Sequence, residues 1–305
     1  MTMEASARIE RIVSGPRPLS AADLGLLAEL RHELGARYVA QATRSLPPEP
    51  AEDLFAGVKG LPEISGADLT GAHVASGLRY HGALCVRNLV APEDVANLRS
   101  LIDGKDWTIP QQPCDAEGHV LPGSAPMKCS AASLQGLVEA YQKAGMYDVM
   151  LDYLGEPPVL LSERLLVDRQ TFETGLPWHQ DGAFFGGNVG GVNSFLALDT
   201  CGVDAAGLRV VAHRFDEVLG VKEGERANLV YDNALKDDNV IALAGADAVV
   251  TPLLEAGDAI FIDEMTLHRT GRCPKTGQLP RSWAITWFFA PSRFPTLRHP
   301  LWLGA

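Results

Sequence analysis

The stretch Leu176-Pro177-Trp178-His179-Gln180-Asp181-Gly182 constrains this chain more than any other. In an extended strand, residues two apart point to the same face, so His179 and Asp181 present an imidazole and a carboxylate together. A second His arriving from another strand would complete a set of two imidazoles and one carboxylate. That set binds Fe(II) and leaves coordination positions open for substrate and oxygen. A fold that builds it must bring distant strands side by side, and the rest of the sequence has to supply them.

The second half of the chain does. After Gly155-Glu156-Pro157-Pro158, short runs rich in Val, Ile, Phe and Trp alternate with Gly, Asp and Pro. This is the pattern of antiparallel strands in a sandwich or barrel. The sequence predicts strands over 159–169, 178–182, 192–198, 208–212, 248–252, 259–263 and 282–290. The first half reads as helices around one strand at 83–90. Ser20 is a good N-cap, with Asp23 in the first turn. A second helix spans 69–82 and stops at Gly82, and a third opens at Pro92 with Glu93 and Asp94 behind it. A fourth covers 134–154, bent at Gly145, and the Pro-rich segment 44–62 reads as a linker. The expected fold is mainly β: a jelly-roll core over 76–305 with helices packed on its outside, preceded by an N-terminal helical extension over 1–75.

The second His has a clear candidate. Gly257-Asp258 is a turn pair, Ala259-Ile260-Phe261-Ile262 is a buried strand, and His268 stands at the far end of that segment. Arg281 then opens the apolar strand Ser282-Trp283-Ala284-Ile285-Thr286-Trp287-Phe288-Phe289. A guanidinium at the head of such a strand needs an anion, because an unpaired buried charge is costly. Its fork fits a carboxylate with two parallel hydrogen bonds. Thr270, two after His268, shares its face and adds a hydroxyl toward the same anion.

Composition narrows the partners. A net charge of −12 over 305 residues argues against nucleic acid or an anionic membrane as the main partner. No run of 18 apolar residues exists and the N-terminus lacks the apolar core of a signal peptide. The cysteines Cys85, Cys114, Cys129, Cys201 and Cys273 are scattered, without a Cys-x-x-Cys pair. They read as reduced thiols of a cytoplasmic protein.

In order, the chain carries His179-x-Asp181, Leu196-Ala197-Leu198-Asp199, Gly207-Leu208-Arg209-Val210-Val211, Gly257-Asp258 with Phe261, His268 and Arg281. This order resembles the phytanoyl-CoA dioxygenase family, and Arg79–Val95 is similar to that family's opening strand and helix. The likeness spans roughly 76–295. It implies an Fe(II)- and 2-oxoglutarate-dependent oxygenase on a double-stranded β-helix, using O2 to hydroxylate a small organic substrate. It implies further that His179, Asp181 and His268 bind the metal, and that Arg281 and Thr270 hold the distal carboxylate of 2-oxoglutarate. Lys128 matches a Lys near the cosubstrate in some members, and Asn193 falls where the family faces cosubstrate and substrate. Trp178, Phe184, Phe185, Phe195 and His213 stand around the expected mouth. The chain departs from the family at Ala212-His213-Arg214, where a Pro-Gly-Ser-His run is usual. An acidic residue at 181 argues against halogenation, which requires a small residue there to admit chloride. Desaturation, epoxidation and cyclisation would use the same ligands. A non-catalytic jelly-roll binding protein remains the alternative of another class.

Overall fold

The computed structural model describes residues 52–103, 131–168, 177–185, 189–202, 207–219, 234–270 and 281–293, with scattered positions before residue 51. Of residues 102–103, 131–132, 161–168, 184, 270 and 281 it describes the backbone. Two compact units form, one of residues 1–45 with 291–294 and one of 46–290 with 295–305. In the first, the Ser20 hydroxyl accepts from the Asp23 N–H at 3.1 Å, the N-cap that the sequence predicts, and the Asp23 carboxylate accepts from the Ser20 N–H at 3.4 Å, which makes the cap reciprocal.

Among the described residues of the second unit, nine strands make two sheets. They are β1 (Glu63–Ser65), β2 (Ala83–Arg87), β3 (Val159–Asp168), β4 (Val192–Ala197), β5 (Leu208–Val211), β6 (Val249–Val250), β7 (Ala259–Ile262), β8 (His268–Thr270) and β9 (Arg281–Phe289). The six-stranded sheet runs β1-β2-β7-β4-β9-β3, and the three-stranded sheet runs β6-β5-β8. Pairing is antiparallel except between β1 and β2. From β3 onward the chain passes repeatedly between the sheets: Trp178-His179 bridges to the small sheet through His268, β4 returns to the large one, β5 and β6 pair in the small one, and β7, β8 and β9 lie in the large, small and large sheet in turn.

Alternation along the strands explains the two cores. On β4 and β9, Leu196, Ala284 and Phe288 join the helices in one apolar cluster, while Phe195, Ala197, Trp283 and Ile285 join Leu208 and Val210 of the small sheet in another. Strands buried on both faces lose the polar alternation of a solvated sheet, and every residue of β4 and β7 is buried. The helices on the outer face are α1 (Gly71–His81), α2 (Pro92–Asp103), α3 (Ala131–Lys143) and α4 (Met146–Leu154). Thr70 caps α1 by accepting from the His73 N–H, and Gly82 ends it in the left-handed region at φ 75°. Gly82 is doubly constrained, since a Cβ there would lie 2.8 Å from the His213 backbone. Instead of bending one helix, Gly145 (φ 71°) separates α3 from α4. On α3, Tyr141 packs its edge on Phe288 with centroids 5.3 Å apart and donates to the Ser194 hydroxyl at 3.1 Å. A fully buried Phe such as Phe288 contributes about 1.5–3 kcal/mol through desolvation.

Three local structures differ from the sequence expectation. The strand expected over 178–182 lasts two residues; Ala183 and Phe185 turn their N–H groups back to Gln180 and Asp181, starting the short helix α5 (Gly182–Phe185). Residues Glu63–Ser65, which the sequence places between the linker and the second helix, form edge strand β1. A further helix, α6 (Asp237–Ala244), was not expected. Among the described residues, helices α1 to α4 dominate the part of the chain before β3 and strands dominate the part from β3 onward.

Asp258 joins the edge of the large sheet to the following turn. Its carboxylate accepts from the Asn88 N–H at 2.8 Å, the Arg87 guanidinium at 2.7 Å and the Glu255 N–H at 3.0 Å. The Asn88 contact fixes a non-glycine residue at φ 52°. Asp258→Ala is expected to lower stability by about 3 kcal/mol, since it leaves a half-buried guanidinium and two N–H groups short of an acceptor. A urea titration should show an earlier midpoint with an unchanged slope; a loss below about 0.5 kcal/mol, ordinary for a surface substitution, would mean that the network is idle.

Candidate metal centre

His179 and His268 face each other across an antiparallel bridge, each donating its backbone N–H to the other's carbonyl, at 2.9 and 3.0 Å. Directly opposed residues put their side chains on the same face. The rings accordingly sit with centroids 4.4 Å apart at 48°.

Ring orientation is set locally. His179 Nδ1 lies 2.7 Å from the Pro177 carbonyl, and His268 Nδ1 lies 3.0 Å from that of Thr266. A carbonyl only accepts, so both Nδ1 atoms carry the proton and both Nε2 atoms keep a free lone pair. Both lone pairs converge on Asp181. Its carboxylate oxygens are 3.5 Å from His179 Nε2 and 3.9 Å from His268 Nε2. One ligand atom from each residue lies within 4.8 Å of the other two, and all three residues are largely shielded from solvent. The donor set fits a divalent transition metal bound on one side.

Electrostatics keep the donors ready. Burial pushes the Asp181 carboxyl up, but His268, His179 and a hydrogen bond from Asn193 outweigh it and hold the carboxyl below its usual range. For His268 burial dominates, reinforced by His179 and opposed by Asp181, and lowers it to about 4, so the ring is neutral near pH 7.

A second layer holds the ligand-bearing backbone. Gln180, between His179 and Asp181, uses its whole carboxamide: the NH2 donates to the carbonyls of Met265 (2.8 Å) and Glu217 (3.2 Å), and the oxygen accepts from the Leu219 N–H (2.8 Å). Asp237, at the start of α6, accepts from Trp178 Nε1 and Arg269 Nη1, both at 2.6 Å. Trp178 precedes one ligand and Arg269 follows the other, so one carboxylate ties both ligand strands from outside. The guanidiniums of Arg209 and Arg269 lie 5.7 and 5.9 Å from the centre of the Trp178 ring. Glu264 turns inward and accepts from three successive backbone N–H groups, of Val189 (3.0 Å), Gly190 (2.8 Å) and Gly191 (3.3 Å). Burial and the neighbouring Asp263 nevertheless raise its carboxyl to about 7.

Among the other residues singled out in the sequence, Asn193 donates to Asp181 and Phe195 packs edge-on against His268 with ring centroids 6.2 Å apart. Phe185 packs edge-on against Trp287 (5.1 Å) and Phe289 (5.7 Å). Trp178 is buried instead with Val211, Leu235, Val240 and Leu267. His213 is exposed, its ring edge on Phe215. Thr270 ends β8 opposite Leu208, and Arg281 opens β9 opposite Asp168; for these two and Phe184 only the backbone is described. Lys128 lies outside the described residues. The sequence reading missed Asp237, Gln180 and Glu264. The pair Asp237-Asp238 ahead of an apolar run is a helix-start signal that would have found α6. No local pattern marks Glu264 as turning inward.

The sequence model of the phytanoyl-CoA dioxygenase (PhyH) family matches residues 78–277. No curated protein matches the chain in sequence. Among solved structures, EvdO2 from Micromonospora carbonacea var. aurantiaca, in its complex with 2-oxoglutarate, superposes with a TM-score of 0.50 at 17% identity, over 70% of this chain and 88% of that one. A second crystal structure of EvdO2 gives the same figures. AviO1 from Streptomyces viridochromogenes Tue57 gives a TM-score of 0.46 at 16% identity, over 75% of this chain and 98% of that one. No helix among the described residues is long and apolar enough to cross a membrane.

Two predictions follow from the supporting layer. Asp237→Ala is expected to weaken Fe(II) binding about tenfold, the usual effect of removing an outer partner of a metal site. Asp216→Ala, which removes an exposed partner of Arg79, should leave it unchanged. Equal Fe(II) titrations of the two variants would deny Asp237 its role. The Glu264 carboxyl, raised from 4.5 to about 7, contributes stability that is present below about 4.5 and lost as pH rises to about 7. Melting curves from pH 5 to 8 should therefore show the parent losing stability relative to Glu264→Gln across that window. Parallel curves would show that Glu264 titrates normally.

Proposed function

The chain belongs to the phytanoyl-CoA dioxygenase family, and from that footing we propose that it is an Fe(II)- and 2-oxoglutarate-dependent oxygenase that hydroxylates an unactivated C–H bond of a small organic molecule. Enzymes of this family use Fe(II), 2-oxoglutarate and O2. The observation that carries the reading is the convergence of two imidazole Nε2 lone pairs on one carboxylate, with both Nδ1 protons tied to backbone carbonyls. His179, Asp181 and His268 hold the metal. Bound iron, with its cosubstrate, supplies the oxidising power for the C–H bond as 2-oxoglutarate loses CO2 and becomes succinate.

The chain's own residues do the remaining work. Asp181 stays anionic and His268 neutral, so neither has to shed a proton before it binds a cation near pH 7. Asn193 holds Asp181 through its amide N–H. Phe195, Ile260, Ile262 and Ile285 keep the wall between the sheets apolar and exclude water. Arg281, with Thr270, takes the distal carboxylate of 2-oxoglutarate. On the backbone, Thr270 follows His268 by two positions on β8, and Arg281 precedes Trp283 by two on β9, spacings that suit a shared task. The chain's alternation between sheets from β3 to β9 supports reading the core as a double-stranded β-helix. The reading includes a cytoplasmic setting, where thiols such as the buried Cys85 and Cys201 stay reduced.

The test is Fe(II)-dependent conversion of 2-oxoglutarate to succinate, first without and then with candidate substrates. Wild-type protein should turn over, while His179→Ala, Asp181→Ala and His268→Ala should lose both turnover and Fe(II) affinity and keep their fold. Arg281→Lys keeps the charge but loses the two-pronged fit, at about 1.5–3 kcal/mol. That corresponds to roughly a ten- to hundredfold rise in the apparent constant for 2-oxoglutarate, with iron affinity unchanged. Absence of succinate under every condition sinks the oxygenase reading; an unshifted 2-oxoglutarate titration of Arg281→Lys removes that residue alone.

A further inference from the structure

Two buried polar atoms beside the metal centre have no hydrogen-bond partner among the described residues: the Asn193 amide oxygen and the Trp287 indole N–H. They belong to directly opposed residues, Asn193 on β4 and Trp287 on β9. Directly opposed side chains lie on the same face of a sheet, and the Asn193 side chain is on the metal face because it bonds Asp181. Trp287 is therefore on that face too, and Phe185, four residues after Asp181, packs on its ring. Both side chains are almost wholly buried. Burying a donor or acceptor unmatched costs about 1–3 kcal/mol, and this fold does so twice at adjacent positions.

The orientation of the amide is settled by its neighbour. The amide oxygen is the atom without a partner, so it is the NH2 that donates to Asp181 and the oxygen that is left over. The open pair is thus one donor, on Trp287, and one acceptor, on Asn193. An anion cannot complete it, because a carboxylate at this position has no proton to offer the amide oxygen. An apolar group completes neither. A neutral hydroxyl completes both, accepting from the indole and donating to the amide.

We infer that Trp287 and Asn193 are the recognition point for a neutral hydroxyl group on the organic substrate, with Phe185 and Phe289 packing around the carbon skeleton next to it. Trp287 stacks on Phe289 at 3° with centroids 5.1 Å apart, and Phe185 closes edge-on against both rings, so the indole N–H is set among apolar surfaces. The substrate class is accordingly an alcohol with an apolar frame around the recognised hydroxyl. This inference rests on the oxygenase reading of the site. It deepens that reading by placing substrate at the Trp287 end of β9, six residues from Arg281.

The experiment uses cyclohexanol and cyclohexanone as probes, which differ in the hydroxyl proton, with metal-free full-length protein labelled with 15N at tryptophan. The Trp287 indole signal is assigned by its loss in Trp287→Phe, which keeps an aromatic ring and removes the N–H. Cyclohexanol should move that signal and bind about tenfold more tightly than cyclohexanone. Trp287→Phe should bind cyclohexanol about tenfold more weakly, with unchanged Fe(II) and 2-oxoglutarate affinities and a melting temperature near that of the parent. An indole signal unmoved up to the solubility limit of the alcohol overturns the inference, as do equal affinities for the two probes. Should Trp287→Phe fold poorly, the indole shift and the probe ratio in the parent decide alone. Failure of the oxygenase reading shows separately, as absent succinate formation from 2-oxoglutarate in unlabelled, iron-loaded enzyme.

Discussion

Two backbone hydrogen bonds, His179 N–H to His268 O and His268 N–H to His179 O, are what the centre depends on. The residues are 89 positions apart in sequence, and their side chains meet only because this bridge holds their Cα atoms opposite one another. Everything else at the site refines that contact. The Pro177 and Thr266 carbonyls choose the tautomer and fix the ring planes, and the turn after His179 brings the Asp181 carboxylate to the Nε2 edge of both rings. Backbone pairing suits this task because it leaves the imidazole Nε2 and carboxylate oxygens unused. A centre assembled through side-chain contacts alone would spend the atoms it needs as ligands.

A bridge of two residues is a weak element by itself, and the surrounding layer shows how it is held. Gln180 anchors one strand to the carbonyl of Met265 near the other, and Asp237 clamps the residues next to both ligands. Glu264 gathers three N–H groups of the segment leading into β4 while its own carbonyl accepts from Gly182 at 2.6 Å. These groups are polar and mostly buried, where each hydrogen bond is stronger and each missing one more costly than in water. The support therefore favours a single arrangement of the ligands over a set of near alternatives. It also means that the centre is sensitive to substitutions that never touch the metal.

How much of this was legible in the sequence follows from the range of each interaction. Helix starts and stops are set within four residues, and Ser20, Thr70 with Gly82, and Pro92 act in the structure as local chemistry predicts, while Gly145 breaks a helix it was expected only to bend. The strands at 159, 192, 208, 259 and 282 were legible because β-branched and aromatic runs have a period that turns interrupt. The same-face argument for His179 and Asp181 reached the right proximity through a wrong local geometry, since Asp181 stands in a turn and not in a strand. Strand β1 escaped notice because three residues, Glu63-Ile64-Ser65, carry no period; they pair with β2 through Arg87, which holds Glu63 at 2.6 Å. Burial changes the reading of Trp178, whose ring beside a ligand turns outward to Asp237. Such facts are set by contacts across dozens of residues and leave no trace in local pattern.

Strand β9 shows how one element can order a site along its length. Its residues Trp283 and Ile285 pack with Leu208 and Val210 of the small sheet, and at about 3.3 Å per residue the step along the backbone from Arg281 to Trp287 spans about 20 Å. Register pins each position to a partner on β4: Trp283 to Ala197, Ile285 to Phe195, Trp287 to Asn193. Phe195 touches the His268 ring and Asn193 bonds Asp181, so the metal centre lies against the middle and far end of this series. On the proposed reading, the guanidinium end receives an anion and the indole end a neutral alcohol, with apolar Trp283 and Ile285 between them. A charge and an unsatisfied neutral pair along one strand select different ligands because the desolvation each requires is repaid by a different chemistry. Slipping β9 by one residue against β4 would turn all of these side chains to the helical face. The register that packs Phe288 and Ala284 beneath the helices is therefore the same constraint that orders the site.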